Sequence, residues 1–144
     1  MTLAAILKTK GHDVASMRPT STIAEVVAKL AERGIGAVLV EDTLGQILGI
    51  VSERDIVRAL AVHGAATLTM TAGQLMTARP VTAAPGISVA TAMQIMTDGR
   101  FRHLPVMENG KLIGIVSIGD VVKSLLAQQA QEVDSLKAYV AGAM

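Results

Sequence analysis

The heptad GIVSERD at residues 49–55 recurs as GIVSIGD at residues 114–120. In each copy an apolar run typical of a strand leads into Ser-x-x-Asp, which is typical of a helix N-terminus. The serine oxygen can accept a hydrogen bond from an N–H of the first turn, and the aspartate lies at the positive end of the helix dipole. Each heptad therefore predicts a strand that passes directly into a helix.

The similarity of the two copies extends well beyond the heptads, over residues 22–60 and 88–125. Each begins with apolar residues at helical spacing, namely Ile23, Val26, Val27 and Leu30, and Val89, Ala92, Met93 and Met96. Two β-rich runs follow in each copy, at residues 37–40 and 47–51 and at residues 104–107 and 112–116. A second helix is predicted from Glu53 and from Ile118. The chain is therefore a tandem duplication.

Local signals support this reading of the repeat. Thr22 and Glu25 predict a capping box at the start of the first helix, and Gly34 follows its end. Asn109-Gly110 predicts a tight hairpin. A short extended piece is expected before each copy, at residues 14–17 and 80–83. A unit of about 60 residues covers its own sheet poorly, so the halves are expected to pack face to face through their sheets.

The predicted domain boundaries follow from the repeat. Residues 1–68 hold the first repeat with an N-terminal segment, residues 69–127 the second, and residues 128–144 a helical extension. Residues 63–80 read as a linker with a turn of helix in AGQLMT. The extension continues an apolar stripe through Val133, Leu136 and Val140, which we expect to pack on residues 3–7 or on a second chain.

Composition excludes several functions. The 144 residues contain no cysteine, which rules out disulfides, thiolate metal sites and a cysteine nucleophile. The net charge of +1 and the single Phe and Tyr give no argument for nucleic-acid binding. No apolar run approaches the about 20 residues of a membrane helix, and the start of the chain is unlike a signal peptide. We expect a soluble cytoplasmic protein without a nucleic-acid or membrane partner.

Two interpretations of the heptads remain open at this point. The serine and aspartate can serve only as helix caps, since capping boxes are common. Alternatively, two equivalent junctions offer free N–H groups that favour an anion and a carboxylate that accepts hydrogen bonds from a vicinal diol. A nucleoside phosphate satisfies both features. Arg102 and His103, just before a strand, add cations that could meet phosphate.

The duplicated Gly-x-x-Ser-x-x-Asp motif, the element order and the FRHLPV strand together resemble a CBS domain pair, a family named for a regulatory domain of cystathionine β-synthase. The resemblance spans about residues 14–126. It implies an α+β (α/β) fold of two tandem β-α-β-β-α repeats. It also implies a non-catalytic sensor of adenosine-containing ligands such as AMP, ADP, ATP, NAD or S-adenosylmethionine, with AMP expected first and NAD next.

The resemblance implies two sites, each combining the motif of one repeat with early strands of the other. Aspartate holds the ribose hydroxyls, serine assists with ribose or phosphate, and apolar residues sandwich adenine. One site would use Ile50, Ser52, Asp55, Val81, Phe101, Arg102 and His103. The other would use Ile115, Ser117, Asp120, Ala15, Ile35, Gly36 and Ala37. Arg54 and Lys10 are further candidate phosphate contacts.

The two sites are expected to be inequivalent. The first repeat has Val38-Leu39-Val40 where the family has Leu-Pro-Val, so the second site departs from the family pattern. The arginine-lined site should favour phosphates. The site with Gly36 and Gly119 should admit a bulkier or less charged ligand.

Enzymatic readings fail on the sequence. Inosine monophosphate dehydrogenase carries a CBS pair, but this chain lacks a barrel-sized remainder and a cysteine for the covalent step. Ser52, Asp55 and His103 do not form a nucleophile elbow. His12, His63 and His103 lack metal-ligand spacing, so no metal is expected. The remaining alternative is a ligand-free dimerisation or protein-interaction module. In either case a homodimer and an unknown downstream protein are the expected partners.

Overall fold

The computed structural model describes residues 1–143 as helices and strands in alternation. The helices are α1 (Leu3–Lys10), α2 (Ile23–Arg33), α3 (Glu53–His63), α4 (Ala72–Leu75), α5 (Val89–Gly99) and α6 (Ile118–Ala143), with a 3₁₀ helix at Gly64–Thr69. The strands are β1 (Ser16–Met17), β2 (Ala37–Glu41), β3 (Ile47–Ser52), β4 (Thr77–Ala78), β5 (His103–Glu108) and β6 (Lys111–Ser117). This mixture confirms the predicted α+β class.

The chain divides into two compact units. The first unit is Asp13–Val81. The second unit consists of Met1–His12 and the chain from Thr82 onward. Each unit contains one of the two heptads.

The first unit is built on a four-stranded sheet in the order β1-β2-β3-β4. β1 runs parallel to β2, while β2 with β3 and β3 with β4 are antiparallel. The predicted capping box of Thr22 and Glu25 starts α2, and Gly34 ends it with a φ of 61°. Because α2 buries one face, its apolar residues join the sheet in one core, made of Ile23, Val26, Leu30, Val38, Val40, Val51, Ile56 and Ala72.

The second unit is built on the β5–β6 hairpin, in which His103 pairs with Ser117 and Glu108 with Lys111. Its turn has positive φ at both Asn109 (53°) and Gly110 (75°), as the Asn-Gly pair predicts. Helices α1, α5 and α6 cover this hairpin. They share a core of Leu3, Ile6, Leu7, Ala83, Val89, Ala92, Met96, Leu104, Val106, Val116 and Val121.

The compact units do not coincide with the predicted repeats at two places. α1 lies in the unit of the second heptad, where Leu3 and Leu7 are fully buried. Residues 69–81 lie in the unit of the first heptad. The apolar face of α1 explains the first difference, because it completes the core over the two-stranded hairpin.

The segment 63–80 is more ordered than a linker. The predicted turn of helix in AGQLMT is α4, which starts with a capping box of Thr71 and Gln74. Ala72 is fully buried, and β4 extends the sheet of the first unit. Of the two extended pieces that we predicted, residues 14–17 contain β1, whereas in residues 80–83 Ala83 makes one parallel bridge to Val106.

The start of α6 packs on the core of its unit, whereas its end is exposed in the single chain. Val121 and Leu125 join the core that contains Leu3 and Leu7. Val133, Leu136 and Val140 are 50%, 62% and 50% exposed, so they do not pack on residues 3–7. Across residues 1–143, the helices lack the combination of length and hydropathy that a membrane crossing needs.

Candidate functional site

The first heptad forms the junction between β3 and α3. Ser52 is the N-cap of α3, and its Oγ accepts a hydrogen bond from the Asp55 amide at 3.3 Å. The Asp55 carboxylate reaches back, and its Oδ2 accepts from the Ser52 amide at 2.8 Å and from the Ser52 hydroxyl at 3.0 Å. The predicted capping role of both residues is confirmed.

The second heptad repeats this geometry between β6 and α6. The Ser117 Oγ accepts from the Asp120 amide at 3.1 Å, and the Asp120 Oδ2 accepts from the Ser117 amide at 2.8 Å. Both aspartates and both serines are half-buried. Two chemically matched helix starts are therefore present, one in each unit.

Each aspartate uses only one of its oxygens in these hydrogen bonds. The capping hydrogen bonds from Ser52 and Ser117, and the hydrogen bond from Lys10, all end on Oδ2 of the aspartate. A carboxylate has about four lone-pair sites, so these hydrogen bonds do not exhaust the capacity of either aspartate to accept. The capping role of these residues is compatible with a further hydrogen bond from a ligand hydroxyl.

Asp120 also has a cationic partner. Lys10, at the end of α1, places its Nζ 2.6 Å from the Asp120 Oδ2 and donates to the Ile115 carbonyl at 2.9 Å. Burial by itself raises the pKa of Asp120. The hydrogen bonds from Lys10 and Ser117 and the charge of Lys10 outweigh burial, so the pKa of Asp120 lies below its ordinary value.

The residues that precede each repeat's first long strand lie beside the motif of their own unit. The Glu53 amide donates to the Gly36 carbonyl at 2.9 Å, and Ala37 pairs with Ser52. The Ile118 amide donates to the Arg102 carbonyl at 2.8 Å, and His103 pairs with Ser117. In both units the same strand pairing orients the serine.

The other predicted site residues differ in exposure. Ile50 and Ala37 are buried, whereas Arg54, Arg102 and Val81 are exposed. The half-buried residues are Ala15, Ile35, Gly36, Phe101, His103 and Ile115. Of the residues predicted to complete the first motif, Val81 lies in the same unit, and residues 101–103 lie in the other. The residues predicted to complete the second motif, Ala15 and residues 35–37, lie in the other unit. The assignment of all sixteen residues to ligand binding stays a prediction.

Sequence reasoning missed the residues that lie against the motif glycines. A Cβ on Gly49 would lie 2.6 Å from the Met76 Sδ and 2.7 Å from the Thr77 carbonyl oxygen. A Cβ on Gly114 would lie 2.6 Å from the Leu7 Cδ2. The glycine of each motif thus admits a covering segment, β4 in one unit and α1 in the other. The glycine that recurs in both motifs indicates a close approach of another segment, but it does not indicate which segment approaches.

The histidines show no metal centre within residues 1–143, where no three His, Cys, Asp or Glu side chains are grouped to hold an ion. The His12 Nδ1 lies 2.7 Å from the Ile113 carbonyl oxygen, so it forms a structural hydrogen bond at the end of α1.

Comparison with known proteins agrees with this geometry. A CBS-domain protein from Agrobacterium tumefaciens superposes with a TM-score of 0.83 at 46% identity, over 85% of this chain and 91% of that one. A protein with CBS domains from Burkholderia ambifaria, whose name proposes signal transduction, gives 0.84 at 39% identity, over 90% and 96% of the two chains. A CBS-domain protein from Pyrobaculum aerophilum, complexed with AMP, gives 0.77 at 28% identity, over 91% and 99%.

The family assignment is direct. The CBS-domain family profile matches twice, at residues 7–62 and 72–127, and each match contains one strand-to-helix junction with its Ser–Asp capping box. The resemblance read from the two heptads is confirmed: the chain belongs to the CBS-domain family and carries two CBS domains in tandem.

Proposed function

We propose that this protein is a non-catalytic regulatory module that binds an adenosine-containing ligand, with AMP the first candidate and NAD the next. The observation that carries the proposal is the duplicated junction, in which Asp55 and Asp120 each cap a helix start through Oδ2. A helix N-terminus favours phosphate and a carboxylate favours the ribose diol. The AMP complex of the Pyrobaculum relative supports this ligand class.

The residues divide into roles by chemistry. Asp55 and Asp120 would accept hydrogen bonds from ribose hydroxyls, and Ser52 and Ser117 would orient those carboxylates through the capping boxes. The strand side chains Ile50 and Ile115 would contact adenine. The strand residues assigned to each motif from the opposite repeat, together with Arg54 as a phosphate contact, remain part of the proposal.

The two motifs should bind unequally, because Asp120 is already paired with the Lys10 ammonium before a ligand binds. A ligand at Asp120 must share its carboxylate with Lys10. If the Lys10 ammonium turns to the ligand phosphate, as we proposed from the sequence, its ion pair with Asp120 is replaced by an ion pair with the phosphate. The breaking of the Lys10–Asp120 pair then costs little binding free energy. A ligand without phosphate gains no such exchange and should prefer Asp55, which reverses the preference that we expected from the sequence, where the arginine-lined Asp55 site favours phosphates.

A thermal-shift panel tests the ligand class. AMP, ADP, ATP, NAD, NADH and S-adenosylmethionine are each added to the full chain. A ligand at about 100 times its dissociation constant stabilises a protein by about 2.7 kcal/mol. For a chain of this length the midpoint should rise by roughly 5–10 °C. Guanosine monophosphate serves as the control for the base.

The alternative of a ligand-free interaction module is favoured by one observation, the exposed apolar residues of α6. The same panel separates the two functions. If no adenosine compound raises the midpoint, the interaction module is the better account. The downstream protein and the cytoplasmic location remain predictions from the sequence.

A further inference from the structure

The last part of α6 extends beyond the packed body of its unit. Every residue from 129 to 142 is helical and exposed. Upstream in the same helix, Val121 is fully buried and Leu125 packs on the core. The helix therefore begins as a part of the second unit. It then continues for 14 residues as an exposed helical segment, about 21 Å long at 1.5 Å per residue.

A free helix of this length is marginal in water, because nucleation is costly and most helical stability comes from packing of an apolar face. This segment has such a face. Leu126, Val133, Leu136 and Val140 are 60%, 50%, 62% and 50% exposed. Within residues 1–143, no other segment covers them.

The spacing of these residues is that of a coiled coil. Leu126, Val133 and Val140 recur every seven residues and occupy the a positions. Gln129 and Leu136 occupy the d positions between them, so the stripe advances by alternating steps of three and four. Val122, 39% exposed, extends the d series toward the packed part of the helix.

The charges beside this stripe indicate what covers it. Glu132 is at position g and Lys137 is at position e of the next heptad. In a parallel pair of identical helices, each g residue faces the e residue five places further along the partner. Two copies in register therefore bring Glu132 opposite Lys137 on both sides of the seam. In an antiparallel pair g faces g and e faces e, and Glu132 and Lys137 do not meet.

The residues within the stripe favour the same arrangement. A β-branched residue at a with leucine at d favours two parallel strands, and Val133, Leu136 and Val140 follow this rule. Gln129 is the polar member of the d series. In a parallel pair in register its amide meets its own copy and can exchange a hydrogen bond with it, which fixes the register.

We propose that residues 126–142 of α6 form a parallel two-stranded coiled coil with the same segment of a second copy of this chain. The heptad stripe is self-complementary in shape, and the Glu132–Lys137 pairing is self-complementary in charge. This proposal rests on α6 alone and does not depend on the proposed ligand site.

Crosslinking tests the orientation, because the chain has no cysteine of its own. In Val140→Cys, the two a-position sulfurs of a parallel pair face each other, and mild oxidation should convert most of the full chain into a covalent dimer. Ala138→Cys, at the outward f position, is the matched control and should stay monomeric on a non-reducing gel. Equal crosslinking of both variants, or none of Val140→Cys, would overturn the parallel pair.

Light scattering tests the interface itself. The wild-type particle should contain at least two chains of 14.9 kDa. Leu136→Glu should halve its mass, while Ala138→Glu, which adds the same charge on the outer face, should leave it unchanged. Because Leu136 is exposed, the Leu136→Glu variant should keep the fold of its unit. Its circular dichroism spectrum and its thermal unfolding midpoint check this. A wild-type monomer, or an undiminished Leu136→Glu particle, would show that another partner covers the stripe.

The charge pair gives an independent check. Lys137→Glu places two acidic residues at each g–e contact and should raise the dimer dissociation constant at least tenfold. The exchange Glu132→Lys with Lys137→Glu restores opposite charges and should recover most of the affinity. If the double exchange associates no better than Lys137→Glu, the parallel register is wrong.

Discussion

Asp120 and Asp55 occupy the same position in matching capping boxes, yet their electrostatic surroundings differ. Lys10 lies 2.6 Å from the Asp120 carboxylate, and the two residues are 110 positions apart in the chain. Because the ammonium favours the charged carboxylate, the pKa of Asp120 is held below its ordinary value although burial acts against this. A single side chain on α1 therefore makes the two motifs inequivalent.

Lys10→Met should lose a pH-dependent part of the stability. A carboxylate with a depressed folded pKa contributes fully above its unfolded pKa of about 3.9, and the contribution is lost as pH falls through the folded pKa. The variant should be less stable than wild type by about 0.5–1 kcal/mol near neutral pH, as is typical of a partly exposed pair. The difference should shrink as pH falls below about 3.9.

Urea unfolding of both proteins at neutral and at acid pH measures this difference. Lys8→Met, which removes an exposed lysine from the same helix, is the control and should show no such pH dependence. A deficit in Lys10→Met that is the same at both pH values would mean that the lysine acts through packing and not through Asp120.

Local signals predicted most residue-scale features, because their determinants lie within a few positions of one another. The capping boxes of Thr22 and Ser52, the left-handed Gly34 and the Asn109-Gly110 turn all follow from such signals. The end of α5 differs. There Arg100 takes the left-handed conformation, with a φ of 57°. Gly99, one residue earlier, is needed for a different reason: a Cβ at this position would clash with the Phe101 ring.

At the scale of elements, the long helices and strands could be read from periodicity, and the short covering segments could not. β4 has two residues, both exposed, and carries no alternation that predicts a strand. α1 is visibly apolar, but its apolar pattern does not say which core it joins. Both facts depend on which segment comes close to Gly49 or Gly114, and this is decided by tertiary packing.

The two motif glycines should therefore respond differently to alanine. Gly49→Ala brings a methyl group against the Thr77 backbone, which cannot move without breaking the pairing of β3 with β4. Gly114→Ala brings the methyl group against the Leu7 side chain, which can shift more easily than backbone held in a sheet. Overpacking costs typically 1–3 kcal/mol, and we expect Gly49→Ala near the upper end and Gly114→Ala near the lower end.

Denaturant midpoints of the two variants measure this contrast. Gly86→Ala is the control, because nothing lies within 4 Å of the added Cβ and its φ is not positive. Equal losses at Gly49 and Gly114 would mean that α1 holds Leu7 as rigidly as a backbone contact.

At the scale of the whole molecule, the chain is a duplication whose compact units do not follow the repeat. The first twelve residues join the unit of the second heptad, and residues 69–81 join the unit of the first. Each of these two segments joins the unit in which its apolar residues are buried. Leu3, Leu7 and Ala72 are all fully buried in cores formed by residues distant in sequence.

Leu7→Ala should show which unit α1 stabilises. Loss of a fully buried leucine costs about 2–5 kcal/mol. Hydrogen exchange should accelerate more in α5 and β6, which share its core, than in β2 and β3. Leu30→Ala, in the core of the first unit, is the matched control and should produce the opposite pattern. Acceleration of β2 and β3 by Leu7→Ala to the same extent would contradict the assignment of α1 to the second unit.

The most direct test of the proposed function is calorimetric titration of AMP into wild type and into the Asp55→Ala, Asp120→Ala and double variants. Glu25→Ala, which removes the acidic residue of the capping box of α2, controls for loss of a cap. Wild type and Glu25→Ala should bind AMP, each single variant should lose one binding event, and the folded double variant should bind none. A double variant that binds AMP with the wild-type dissociation constant would show that the two aspartates are helix caps and nothing more.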